Sequence, residues 1–197
     1  FIMKRLLLIL ILTFSFQSWT KADGIKDFEI EGMSIGDSAL KYFSKDLIKE
    51  NSFDYYNDKT FTPVQTPKLA FYKQYDFVDF DFKTNDDKYI IHALYGTIDY
   101  EKNINDCYKT MDEIVISMKK LFDNVEVGEK YDEKRPGITG DPTGKTKGTI
   151  VSFWFDNSDR ASVSCYDYSK EHGGRDNLTV GIQTKEQNDF LFDKAYK

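Results

Sequence analysis

The sequence predicts an α+β protein: a mostly antiparallel sheet of about five strands with a long amphipathic helix packed on one face. Two observations carry this. Residues 69–100 and 149–168 each read as two strand-like runs joined by a short polar turn. Between them, Ile104, Cys107, Met111, Ile114, Met118, Leu121 and Phe122 recur at helical spacing and make one apolar stripe. Short turns join antiparallel neighbours, so the four runs form two hairpins, and a last run at 177–184 adds a fifth strand.

The chain begins with the pattern of a secretory signal. Lys4 and Arg5 are followed by an apolar run from Leu6 to Phe16, and Thr20-Lys21-Ala22 offers small residues at a cleavage site. The run is shorter than the ~20 apolar residues a spanning helix needs, so residues 1–22 read as a cleaved signal and no stable membrane insertion is expected afterwards. Phe1 and Ile2 precede Met3, the expected start. Removing 22 of the 197 residues leaves 175, the length of a single α+β domain at 23–197. It also removes three of the 27 basic residues and none of the 33 acidic ones, so the net charge moves from −6 to −9. Such a chain repels polyanions, which argues against nucleic acid and anionic lipid as partners.

Next, Ser34 to Glu50 reads as a turn and a short N-terminal helix with Ala39, Leu40, Phe43, Leu47 and Ile48 on its buried side. Residues 51–68 contain Pro63 and Pro67 and read as loop with room for a short edge strand. In the run that follows, Val78, Phe80 and Phe82 alternate with Asp79, Asp81 and Lys83, which predicts a buried face and a solvated one. Thr84-Asn85-Asp86-Asp87 turns the chain into the returning strand, residues 88–100. Asn103 or Asn105 suits the cap of the long helix, with Lys119 and Lys120 near its C-terminus. Residues 124–148, rich in Gly and Pro, read as a flexible loop. Thr184 and Gln187 have the spacing of a capping box for a short C-terminal helix.

Cys107 and Cys165 are the only cysteines. In an exported chain an even count favours a disulfide, here one that staples the helix to the sheet. A crosslink spanning 58 positions is worth about 4 kcal/mol on the chain-entropy account.

Several motifs suggest chemistry and fail on spacing. Gly140-Asp141-Pro142-Thr143-Gly144-Lys145-Thr146 resembles a phosphate-binding loop, but it has three residues where the motif needs four, and no strand–loop–helix context. Ile35-Gly36-Asp37-Ser38 is similar to the first block of the GDSL esterases, in which the Ser is the nucleophile. That family needs an Asp-x-x-His block, and Tyr89 and Ser169 stand three residues before His92 and His172. The acidic residues from Asp76 to Asp87 lack the Gly and the final Glu of a calcium loop. The two His and two Cys are too scattered for a zinc site. No catalytic residue, metal ligand or cofactor is therefore assigned. Residues 170–176 join two strands, and His172, Arg175 and Asp176 are the candidate ligand-binding residues, suited to a small anionic group.

The signal, the segment from Phe28 to Ser38 (FEIEGMSIGDS) and Ser164-Cys165-Tyr166-Asp167 together resemble a group of small exported bacterial proteins of unknown function. The resemblance implies a periplasmic or secreted location and transfers no active site. The expected function is a non-enzymatic domain that binds a small ligand or another envelope protein; the alternative is a small exported hydrolase of the GDSL type, using Ser38.

Overall fold

The computed structural model describes residues 24–101, 103–122, 125–133, 141, 143–171 and 173–197. The expected signal at 1–22 and His172 lie outside them, as does part of the 124–148 segment. No helix among the described residues is long and apolar enough to cross a membrane.

The fold is α+β. Strands β1 (Phe61–Gln65), β2 (Phe77–Lys83) and β3 (Ala93–Glu101) precede the long helix; β4 (Val125–Val127), β5 (Tyr131–Glu133), β6 (Lys147–Phe155), β7 (Arg160–Asp167) and β8 (Asp176–Gln183) follow it. They form one antiparallel sheet in the order β1-β2-β3-β8-β7-β6-β4, with β5 also paired to β6. The helices are α1 (Lys45–Glu50), α2 (Ile104–Leu121) and α3 (Lys185–Asp193).

Both predicted hairpins form, with Phe80 opposite Leu94 in the first and Val163 opposite Val151 in the second. The last strand does not sit at an edge. It enters between the hairpins, pairing with β3 on one side and β7 on the other, and so joins them into one sheet.

The count of about five strands is corrected upward. Three additions are short. β1 carries Pro63 and is an edge strand, where a missing N–H costs no ladder bond. β4 and β5 lie within the expected 124–148 loop, on the far side of β6. Runs this brief do not show a period in sequence.

Two long runs are shorter than predicted. Residues 69–76 are not strand, because the backbone N–H groups of Lys73, Gln74 and Tyr75 all donate to the Glu31 carboxylate, at 2.7–2.9 Å. Residues 88–92 are not strand either: Asp86 accepts from the N–H of Lys88 and Ile90, and Tyr89 has φ 52°. The N-terminal helix is divided. A 3₁₀ turn at Ala39–Lys41 ends before Ser44, whose hydroxyl caps α1 by accepting from Leu47 N–H at 3.1 Å.

α2 is 18 residues long, and its cap is Asn103, which accepts from Asp106 N–H. Cys107, Met111, Ile114 and Met118 of the stripe are buried against the sheet, as is Val115, which the stripe did not include. Each contributes roughly 1.5–3 kcal/mol of apolar burial. Residues 25–43 cover the rest of that face: Ile25, Phe28, Ile30, Met33, Ile35 and Ala39 are buried, and Phe43 stacks on Phe80 with ring centroids 5.4 Å apart. The FEIEGMSIGDS segment is thus a plug for the core. Its Glu-Gly pair supplies the two positive φ angles (53° and 78°) of the turn that lets Ile30 and Met33 bridge.

The disulfide Cys107–Cys165 is present, with Cα atoms 6.0 Å apart, and ties α2 to β7.

Candidate functional site

The sheet's two faces differ in kind. Val78, Phe80, Leu94, Val163, Val180 and Ile182 point to α2 and the N-terminal segment, forming the main core. Alternation places Asp79, Asp81, Tyr95, Arg160, Ser162 and Gln183 on the opposite face.

That second face is not simply solvated, as the strand pattern had suggested for Asp79 and Asp81. Asp81 is 3 % exposed. α3 and the segment before β1 lie over it. Tyr56 O–H donates to Asp81 Oδ2 at 2.8 Å, and Gln187 Nε2–H of α3 donates to the same oxygen. Around them Tyr56, Phe61, Phe190 and Ala195 make a second, smaller apolar cluster. Burial pushes the Asp81 carboxyl up to about 7, against the Tyr56 hydrogen bond and helped by Asp79. Burial likewise pushes Asp79 up to about 6, with Gln65 opposing. Among the described residues, three buried oxygens have no hydrogen-bond partner: Asp79 Oδ1, Gln187 Oε1 and Asn188 Oδ1. The capping box is therefore half made. Thr184 Oγ1 accepts from Gln187 N–H at 3.2 Å, but the Gln187 side chain goes to Asp81.

Tyrosines gather on this face. Tyr55, Tyr56 and Tyr196 have ring centroids 5.3–5.9 Å apart, and Tyr166 lies 6.1 Å from Tyr168. Tyr95 and Tyr196 both feel Asp81 and Tyr166 electrostatically, which joins the groups. Phe53, Tyr55 and Tyr196 keep 45 %, 47 % and 44 % of their surface exposed, although large aromatics are usually covered. Beyond α3, Arg160 stacks over Trp154 at 5.4 Å. Its guanidinium donates to Ser152 Oγ at 2.9 and 3.1 Å and to Gln183 Oε1 at 3.4 Å, and Gln183 Nε2–H donates to Tyr95 Oη at 2.8 Å. The convergence of these rings is not visible in sequence, since Tyr55 and Tyr196 lie far apart along the chain.

The residues predicted to bind a ligand lie elsewhere, at the turn before β8. Arg175 is exposed and pairs with Asp99 at 3.2 Å. Asp176 is buried in β8, where its Oδ1 accepts from Tyr168 N–H at 3.0 Å. Burial raises its carboxyl, opposed by that bond. Arg175 does line an open depression of about 610 Å³ with Tyr100, Glu101, Asn103, Gly173 and Gly174. Asp176 is not among the residues that line it.

The two motif-like segments are accounted for locally. Asp141 Oδ1 accepts from Thr143 N–H and Oγ1–H, and its Oδ2 accepts from Thr146 N–H and Oγ1–H and from Ser169 Oγ–H, at 2.7–2.9 Å. Burial would raise this carboxyl, but the hydrogen bonds outweigh it and hold it far below the usual range. The donors that would cradle a phosphate are spent on the chain's own carboxylate. Ser38 Oγ–H donates to Lys88 O at 2.6 Å and accepts from Leu40 N–H, so its hydroxyl closes a loop and starts a 3₁₀ turn. His92 Nδ1 lies 3.8 Å from Glu186. Among the described residues, no three or more His, Cys, Asp or Glu side chains are grouped to hold a metal.

Comparison with protein-family models, with curated proteins and with solved structures found no match.

Proposed function

We propose that this chain is a non-enzymatic exported domain, working in the periplasm or outside the cell, that binds a small ligand or another envelope protein on the second face of its sheet. One observation carries the reading: exposed Tyr55 and Tyr196 stand beside buried polar groups on a rigid sheet that α3 covers only in part. Amphipathic aromatic rings supply contact area at low entropic cost, and polar groups beneath them fix orientation. Trp154 and Arg160 extend the platform, and an anionic group on the ligand would meet Arg160 there. A second place for a small anion is the depression at Arg175, lined also by Asn103, Gly173 and Gly174.

The test is capture of a partner or ligand from envelope extract by the domain, compared with Tyr55→Ala/Tyr196→Ala. The paired variant should keep its melting temperature to within a few degrees and lose the captured species. Equal capture by both proteins would move the site off this face. The hydrolase alternative makes a separate demand: p-nitrophenyl ester hydrolysis that disappears in Ser38→Ala. On the binding reading the wild-type chain shows none above background.

A further inference from the structure

Asp81 is where separate parts of the second face meet. It lies on β2, and its carboxylate takes hydrogen bonds from Tyr56, in the segment before β1, and from Gln187, on α3. Among the described residues, no Lys, Arg or His is paired with Asp81 or Asp79. Basic groups on or beside the sheet are committed to others. Lys83 pairs with Glu186 at 2.8 Å, His92 leans on Glu186, and Arg160 is bonded to Ser152 and Gln183. The remaining titratable groups facing Asp81 are Asp79 on its own strand, Tyr95 on β3, Tyr56, and Tyr196 at the C-terminus. The tyrosines are neutral, because burial raises each of them.

The Gln187 amide offers the second observation. Its Nε2–H reaches Asp81, and its Oε1 is buried without a partner. An ionised Asp81 has no proton to offer that oxygen and leaves a charge without a counter-ion in a covered place. A protonated Asp81 satisfies both groups: the carboxyl O–H donates to Gln187 Oε1 while Gln187 Nε2–H donates to Oδ2, a two-bond ring between acid and amide.

We propose that Asp81 and Gln187 form a proton-dependent latch that holds α3 and the Tyr56 segment over the second face when Asp81 is protonated and loosens them when it ionises. The inference rests on the binding reading for its purpose, since Tyr95 and Gln183, under and beside the cover, become accessible to a partner as the latch loosens. The burial of both carboxylates places the transition near neutral pH, where an exported protein meets changes of acidity.

The experiment is hydrogen–deuterium exchange on the whole protein without ligand at about pH 5 and about pH 8, corrected for intrinsic exchange. Protection of α3 amides should fall by roughly ten-fold or more at the higher pH, while α2 amides change far less. Asp81→Asn keeps the same ring, because its Nδ2–H donates to Gln187 Oε1 and its Oδ1 accepts from Nε2–H. This variant should hold α3 protection nearly constant across the two pH values. Equal α3 protection in the wild-type protein at both pH values overturns the latch. So does an Asp81→Asn protein that keeps the wild-type pH dependence, or an Asp79→Asn protein that alone loses it. A rise in α3 protection at about pH 8 on adding calcium or magnesium also overturns it, by showing a cation where the latch requires a proton. Because exchange reads the cover without any ligand, a failure here leaves the binding reading to its own capture test.

Discussion

The two faces of one sheet are stabilised by different physics. On the α2 face, Val78, Phe80, Leu94 and Ile182 are fully buried among other apolar side chains. Their contribution is roughly proportional to area, has no direction and does not depend on pH. On the α3 face, a small aromatic cluster surrounds a carboxylate, an amide and phenols that must be aligned and correctly protonated. The first arrangement gives a stable body. The second gives a place whose state responds to the solution. A strand that alternates Phe and Asp supplies both at once, because successive side chains point to opposite faces.

The sharpest way to break this comparison is a pair of neighbouring substitutions on β2. Phe80→Ala leaves a cavity in the larger core and should cost about 4 kcal/mol in chemical denaturation, whereas Asp81→Asn should cost little or stabilise near neutral pH. Equal losses at the two positions would abolish the distinction. Replacing Cys107 and Cys165 together by Ala should cost about 4 kcal/mol, because the crosslink spans 58 positions and acts largely on the unfolded chain; a midpoint unchanged by the substitution would deny it that role.

A third pair compares the faces through glycine. A Cβ at Gly96 would sit 2.6 Å from the ring of buried Tyr75, and one at Gly181 would sit 2.6 Å from the ring of half-buried Tyr95. Gly96→Ala should therefore cost about 2 kcal/mol, and Gly181→Ala less, because Tyr95 has solvent to move towards. Thermal melts of the two variants give the order directly.

The pH dependence probes the second face without any substitution. Asp79 and Asp81 have folded values of about 6 and about 7, against an ordinary 3.8. Between those limits the folded state holds more protons than the unfolded one. The stability they contribute is complete below about pH 4 and is lost as pH rises through about 6–7. Melting temperature should therefore drop between about pH 5 and about pH 8 in the wild type, and drop less in Asp79→Asn/Asp81→Asn. An increase over that window would reverse the sign and with it the account of the second face.

Much of the α2 face was legible in the sequence. The stripe from Cys107 to Met118, the run Val78-Phe80-Phe82 and the pairing of Cys107 with Cys165 each rest on a local period or on counting, and each is found. The α3 face was not legible. The same alternation that buried Phe80 was read as solvating Asp81, since a period of two says which residues share a face and not what covers that face. The cover is supplied by Tyr56 and by Gln187, 25 and 106 positions from Asp81. Residues 69–76 depart from the expected strand for a related reason. Their aromatic content suits a strand, but the carboxylate that claims their N–H groups, Glu31, lies more than 40 positions away.

The sequence by itself determined the α+β class, both hairpins, the long helix and the crosslink, because each follows from neighbours along the chain or from the scarcity of cysteine. Only the tertiary structure decided that β8 closes the hairpins into one sheet, that the Asp141 and Ser38 motifs are internal anchors, and that Asp81 is buried beneath Gln187. Those outcomes depend on which distant groups meet. A buried polar group takes whichever partner the packing delivers, and local periodicity carries no information about that partner.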